Sequence, residues 1–170
     1  DGLPNTTWWN MTGQENDSLG WSLTSLGDVE SDGCDDLAIV ANATTIVMDG
    51  ETEIIKQGIV VLLKGNESTM IHHGNLTQNG EGPMFGRSIA GGGDWDGDGY
   101  LDLVVSNTGT VEEPIGYSSL EFYQGGPNGI STNVFKTEQI LTAGKLYGQD
   151  IEWVGDIDND GRDDLIVSEL

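Results

Sequence analysis

Short apolar runs rich in β-branched residues recur along the chain, each flanked by polar, Gly-containing stretches. Residues 37–41, 101–106 and 165–168 have the length and composition of strands, and each follows an acidic segment. The runs 58–64 and 119–124 predict further strands, ending at turns such as Gly125-Gly126-Pro127-Asn128-Gly129. Ile140-Leu141 predicts the last strand of its unit. No stretch carries a convincing 3.6-residue apolar period, so the chain reads as all-β with roughly four strands per unit.

The runs belong to an internal repeat, which decides the fold reading before any single strand does. Leu19-Gly20-Trp21-Ser22-Leu23, Phe85-Gly86-Arg87-Ser88-Ile89 and Tyr147-Gly148-Gln149-Asp150-Ile151 open three segments that align without gaps. Starts at 19, 85 and 147 give spacings of 66 and 62 residues. A looser match pairs 58–65 with 119–125. The expected organisation is one all-β repeat domain over 1–170. Its parts are an N-terminal strand segment (1–18), repeat 1 (19–84), repeat 2 (85–146) and a partial repeat 3 (147–170).

Each repeat places acidic residues at positions 1, 3, 5 and 9 of one loop, with Gly at position 6. The sets are Asp28, Glu30, Asp32, Asp36; Asp94, Asp96, Asp98, Asp102; and Asp156, Asp158, Asp160, Asp164. Alternating carboxylates on a sharply turned loop can converge on one point. Hard oxygen ligands in that number suit Ca²⁺, and the carbonyl at position 7 (Cys34, Tyr100, Arg162) supplies the expected backbone ligand. Mg²⁺ fits less well, because it retains several waters and rarely takes an all-protein cage. One such loop could be ordinary turn composition; three in register inside a repeat point to metal. An EF-hand is rejected, since its twelfth-position Glu would fall on Ile39, Val105 and Val167, inside the apolar runs.

Charge agrees with this reading. The chain has 29 acidic and 6 basic residues and a net charge of −23, and the three loops hold twelve of the acids. Carboxylates gathered without a cation repel strongly, so calcium removal is expected to destabilise the chain. The same balance argues against nucleic acid and anionic membranes as partners. No apolar run approaches the roughly 20 residues that span a bilayer, so membrane insertion is not expected. Cys34 has no second cysteine to pair with. The start at Asp1 reads as a processed or trimmed product.

The aromatic-Gly start, the Gly-Asp entry to a D-x-D-x-D-G-x-x-D loop and the following L-x-V-V-S strand resemble FG-GAP repeats. These are the calcium-binding blades of the integrin α-subunit β-propeller and of many extracellular proteins. The resemblance covers two units over about 19–146 and the first third of another. It implies that the twelve carboxylates are ligands of three Ca²⁺ ions and that each loop joins the first two strands of a blade. Leu19 stands in place of the aromatic residue and Glu30 in place of Asp, so the first site is expected to be weaker or differently shaped.

About 2.7 four-stranded repeats are too few for a closed propeller of four to eight blades. Open edges invite pairing. Either the chain is a fragment, or a neighbouring copy completes it and builds a ring or filament. Residues 6–12 are a candidate outer strand for such an exchange, or a strand packed within their own chain.

Six N-x-S/T sequons, at Asn5, Asn10, Asn16, Asn42, Asn66 and Asn75, exceed what chance supplies and point to an extracellular or cell-surface glycoprotein. All lie in the first 80 residues, which would leave the later half as the protein interface. No catalytic constellation emerges. His72 and His73 read as exposed turn residues. Trp8, Trp9, Trp21, Trp95 and Trp153 read as blade-packing aromatics before a sugar-stacking surface. The expected function is non-enzymatic: a calcium-binding, glycosylated structural or adhesion protein that assembles with itself, with an extracellular protein or glycan as the other partner. The alternative is a ligand- or carbohydrate-binding propeller fragment of a larger extracellular protein or enzyme.

Overall fold

A computed structural model describes residues 9–13, 17–48, 52–78, 84–108, 118–140 and 147–169. Ten strands follow in order: β1 Leu23–Gly27, β2 Asp36–Met48, β3 Thr52–Gly65, β4 Met70–Thr77, β5 Met84–Gly93, β6 Asp102–Thr108, β7 Ser118–Tyr123, β8 Lys136–Ile140, β9 Tyr147–Trp153 and β10 Leu165–Glu169. No helix occurs among the described residues. Antiparallel pairing gives two four-stranded sheets, β1-β2-β3-β4 and β5-β6-β7-β8, and a two-stranded sheet, β9-β10. These are the blades the repeat predicts.

Alternation along the strands makes layers. Ala38, Val40, Val60 and Leu62 send their side chains to one face of the first sheet, where they bury against Phe85, Ile89, Leu103 and Val105 of the second. Ile39, Val61 and Leu63 turn to the opposite face, with Trp9 and Leu19 packed over them. Val104, Leu120 and Phe122 leave the second sheet on its far side and meet Ile151, Trp153, Leu165 and Val167 of the third. β6 is therefore buried along its whole length, sandwiched between two layers. Each buried Val, Leu, Ile or Phe side chain contributes about 1.5–3 kcal/mol over its exposed state.

Two glycine features fix this stacking. The repeat-opening Gly20, Gly86 and Gly148 have φ of 88°, 77° and 78°, a left-handed conformation that a side chain disfavours. Gly58 of β3 lies so close to the second sheet that a Cβ there would sit 1.6 Å from the Phe85 carbonyl oxygen.

The strands depart from expectation in three places. β2 and β3 pair continuously from Leu37–Leu63 to Met48–Thr52, well past the predicted runs. The added residues, including Thr44, Thr45, Ile46, Val47, Ile54 and Ile55, have β propensity, in apolar runs of only two or three residues. Residues 9–12, part of the predicted outer strand 6–12, are not in one; Trp9 serves as a packing residue on the first sheet, and 6–8 lie outside the described residues. His72 and His73 stand in β4 rather than in a turn: His72 pairs with Leu63 of β3, and His73 falls at the register shift beside it.

Candidate metal centre

Each acidic loop joins the first two strands of its sheet: β1 to β2, β5 to β6 and β9 to β10. The backbone is wound by its own carboxylates. Asp94 Oδ1 accepts from Asp98 N–H at 3.1 Å and its Oδ2 from Gly99 N–H at 2.9 Å. Asp28 treats Asp32 and Gly33 in the same way, and Asp156 treats Asp160 and Gly161. Position 6 carries φ of 92°, 90° and 91° at Gly33, Gly99 and Gly161. Position 4 is left-handed too, at Ser31, Gly97 and Asn159. Two such residues, two positions apart, fold the loop back on its first carboxylate.

The winding brings carboxylates together in two of the three loops. One oxygen each from Asp94, Asp96 and Asp102 lie within 4.8 Å of one another, and so do oxygens of Asp156, Asp158 and Asp164. Position 5 stands apart from both sets. Asp98 Oδ1 accepts the Tyr100 N–H at 2.9 Å, as Asp160 does for Arg162 and Asp32 for Cys34. The position-7 residues are thus oriented by their N–H groups.

The ninth carboxylate ties the loop to the sheet. Asp102 Oδ2 accepts from Trp95 N–H at 3.0 Å and Oδ1 from Gly125 N–H at 2.8 Å, at the far end of the third strand. Asp36 accepts likewise from Gly65 N–H at 2.9 Å. Burial pushes Asp102 up to about 6, against the pull of those two N–H bonds. Burial makes the charged form of such a carboxylate costly, and a neighbouring cation would offset that cost. Three convergent hard oxygens and no nitrogen or sulfur donor fit Ca²⁺.

The first loop differs. No three of its carboxylates converge as in the other two loops; Glu30 lies beside Asp36, and its Oε1 lies 2.9 Å from Lys64 Nζ. Burial raises Asp36, and the adjoining Glu30 carboxylate pushes it the same way. Burial would raise Glu30 as well, but bonding to Lys64 and Asp36 and the Lys64 charge hold it below its ordinary value.

Several contacts had no motif to announce them. Gln124 Nε2 donates to Asp96 Oδ2. Asp163 joins the third loop to the second: its Oδ2 accepts from Asp94 N–H at 2.9 Å and its N–H donates to the Asp94 carbonyl at 3.0 Å. The looser repeat between 58–65 and 119–125 holds the signal for Lys64-Gly65 and Gln124-Gly125, since both pairs end a third strand.

Of the sequon residues, Asn10 and Asn75 are exposed and Asn66 half-buried. Asn5 and Asn16 lie outside the described residues, and Asn42 sits in β2 with its side chain outside them. Trp95 stacks on Phe122 at 4.9 Å between ring centroids, and Trp153 packs in the same cluster with its Nε1–H donating to the Ala90 carbonyl at 3.1 Å. Trp21 is exposed under the Arg87 guanidinium. His73 Nε2 pairs with the Ile130 carbonyl at 3.0 Å, which is a packing role.

Comparison with known proteins agrees with the repeat geometry. Residues 94–167 match the FG-GAP-like repeat. Over 137 residues the chain is 31% identical to integrin alpha-5 of Xenopus laevis, a match covering 76% of this chain and 12% of that protein. The chain therefore spans about an eighth of the length of this relative. With its stacked four-stranded blades and first-to-second-strand acidic loops, the chain belongs to the FG-GAP-repeat, integrin α-like family.

Proposed function

We propose that this chain is a calcium-stabilised, N-glycosylated adhesion or scaffolding module of the extracellular space, working by binding rather than by catalysis. One observation carries the metal half of the reading: carboxylates of Asp94, Asp96 and Asp102, and of Asp156, Asp158 and Asp164, converge on single points. The repeats 19–84, 85–146 and 147–170 each offer one Ca²⁺ site within a single domain. In each site the carboxylates at positions 1, 3, 5 and 9, with the carbonyl at position 7 (Cys34, Tyr100 or Arg162), are the proposed ligand set. Bound calcium supplies positive charge; the chain's own part is to hold the ring of oxygens and to lock each loop onto its sheet through Asp36 and Asp102. Similarity to an integrin α-subunit supports an extracellular or cell-surface location and protein partners.

Self-assembly is the finer part of the proposal. The outer faces of the stack carry exposed apolar residues, Leu23 at 63% on the first sheet and Ile166 at 59% on the third, and Ile157 is 68% exposed in the third acidic loop. Such faces invite another sheet. A neighbouring copy supplies it here, giving a ring or filament with glycans at Asn5, Asn10, Asn16, Asn42, Asn66 and Asn75 on the first half. The short coverage of the integrin relative favours a second reading, in which further blades of a longer propeller supply the cover and the chain is its ligand-binding part.

Multi-angle light scattering of native material in millimolar calcium, then in excess chelator, tests the proposal. Large assemblies that dissociate on chelation are expected. A glycosylated monomer near 18.2 kDa plus sugar in both conditions overturns self-assembly and leaves the second reading.

A further inference from the structure

Lys64, within β3, and Gln124, just after β7, occupy the same place in successive sheets. Each precedes a glycine whose N–H donates to the ninth carboxylate of its loop, Gly65 to Asp36 and Gly125 to Asp102. Each also reaches the third loop carboxylate: Gln124 Nε2 donates to Asp96, and Lys64 Nζ sits 2.9 Å from Glu30 Oε1. One seat thus holds a neutral amide in the second sheet and an ammonium in the first. Glu30, one methylene longer than Asp, makes that reach.

The ammonium does not finish the first site. The Glu30 side chain is only 10% exposed, and its Oε2 is buried without a hydrogen-bond donor when both carboxylates are ionised. Asp36, itself buried, lies beside it. Two neighbouring buried carboxylates carry more negative charge than one ammonium offsets when both are ionised; a proton shared between them or an entering cation makes up the difference. A cation can take that place. It would enter beside a positive charge that the second loop lacks, and site affinity follows the net ligand charge.

Resting on the calcium reading above, we propose that Lys64 is a resident counter-ion that makes the first loop the weakest calcium site, so that this loop fills last. Gln124, its neutral counterpart, leaves the second loop at full strength. The chain thereby reads calcium in graded steps, with the first sheet locking only at the higher concentration.

Calcium titration of the full chain by calorimetry, with stoichiometry from native mass spectrometry, tests this in the Lys64→Gln and Gln124→Lys variants. Removing the lysine charge is expected to tighten the weakest site by about tenfold or more, and adding one at 124 to weaken one strong site by a similar factor. Lys64→Met, which keeps the apolar stem, serves as a second variant if Lys64→Gln lowers the melting temperature. Affinities unchanged within about twofold in Lys64→Gln and Lys64→Met overturn the role of Lys64 while the calcium reading stands. A wild-type chain that binds no calcium overturns both.

Discussion

At single residues the loops are governed by backbone conformation and by carboxylates used twice. Nothing lies within 4 Å of a Cβ built on Gly99, yet its φ is 90°. Gly99→Ala is therefore expected to cost about 1–2 kcal/mol through conformation alone, read as a lower denaturant midpoint. Asp102 both faces the proposed ion and satisfies two N–H groups. Asp102→Ala should cost about 2–4 kcal/mol even with calcium absent, because those donors lose their acceptor. Asp102→Asn should retain most of that stability and lose calcium affinity. The raised value of Asp102 also sets a pH dependence. In chelator the folded form keeps its proton up to about pH 6 and the unfolded form only to the ordinary 3.8. Stability from this group is thus present at low pH and lost as pH rises through 6. Melting of the chelated protein should be higher at pH 5 than at pH 7; in calcium the order reverses, since protons then compete with the ion.

At the scale of strands and sheets, the apolar runs located β6, β7 and β10 to within one or two residues, because these strands are core-facing and keep a clear pattern. The outer half of the β2–β3 hairpin was not legible. Its apolar stretches, Ile46-Val47-Met48 and Ile54-Ile55, are short and flanked by polar residues, and its ladder is held by backbone pairing. The approach of one sheet to the next was equally invisible. Gly58 looks like any strand glycine in sequence, and only the Phe85 carbonyl above it shows that no side chain fits. Gly58→Ala should force the sheets apart and cost at least about 1–3 kcal/mol, visible as a fall in melting temperature.

Across the whole molecule, charge and stacking oppose each other. A net charge of −23 works against compaction, and the loops concentrate it. If the loops hold calcium, chelator should lower the melting temperature by well over 10 °C, and high salt should recover only part of the loss. A melting curve indifferent to chelator would count against calcium at these loops. The exposed face of the third sheet gives a separate test of association. Ile166→Lys should abolish self-assembly without changing the calcium-dependent melting shift, since Ile166 points away from the core of its own sheets.

The repeat, the all-β class and the positions of the acidic loops could be read directly, because each depends on local spacing: period two in strands, and fixed offsets of Asp and Gly in a loop. The convergence of three carboxylates rather than four, the diversion of Glu30 to Lys64, and the anchoring of Asp36 and Asp102 by Gly65 and Gly125 could not. The diversion and the anchoring join residues 23 to 34 positions apart, brought together when the third strand folds back alongside the second. Local spacing fixes where ligands can be. Only the packed sheet fixes which of them face one another, and with what neighbouring charge.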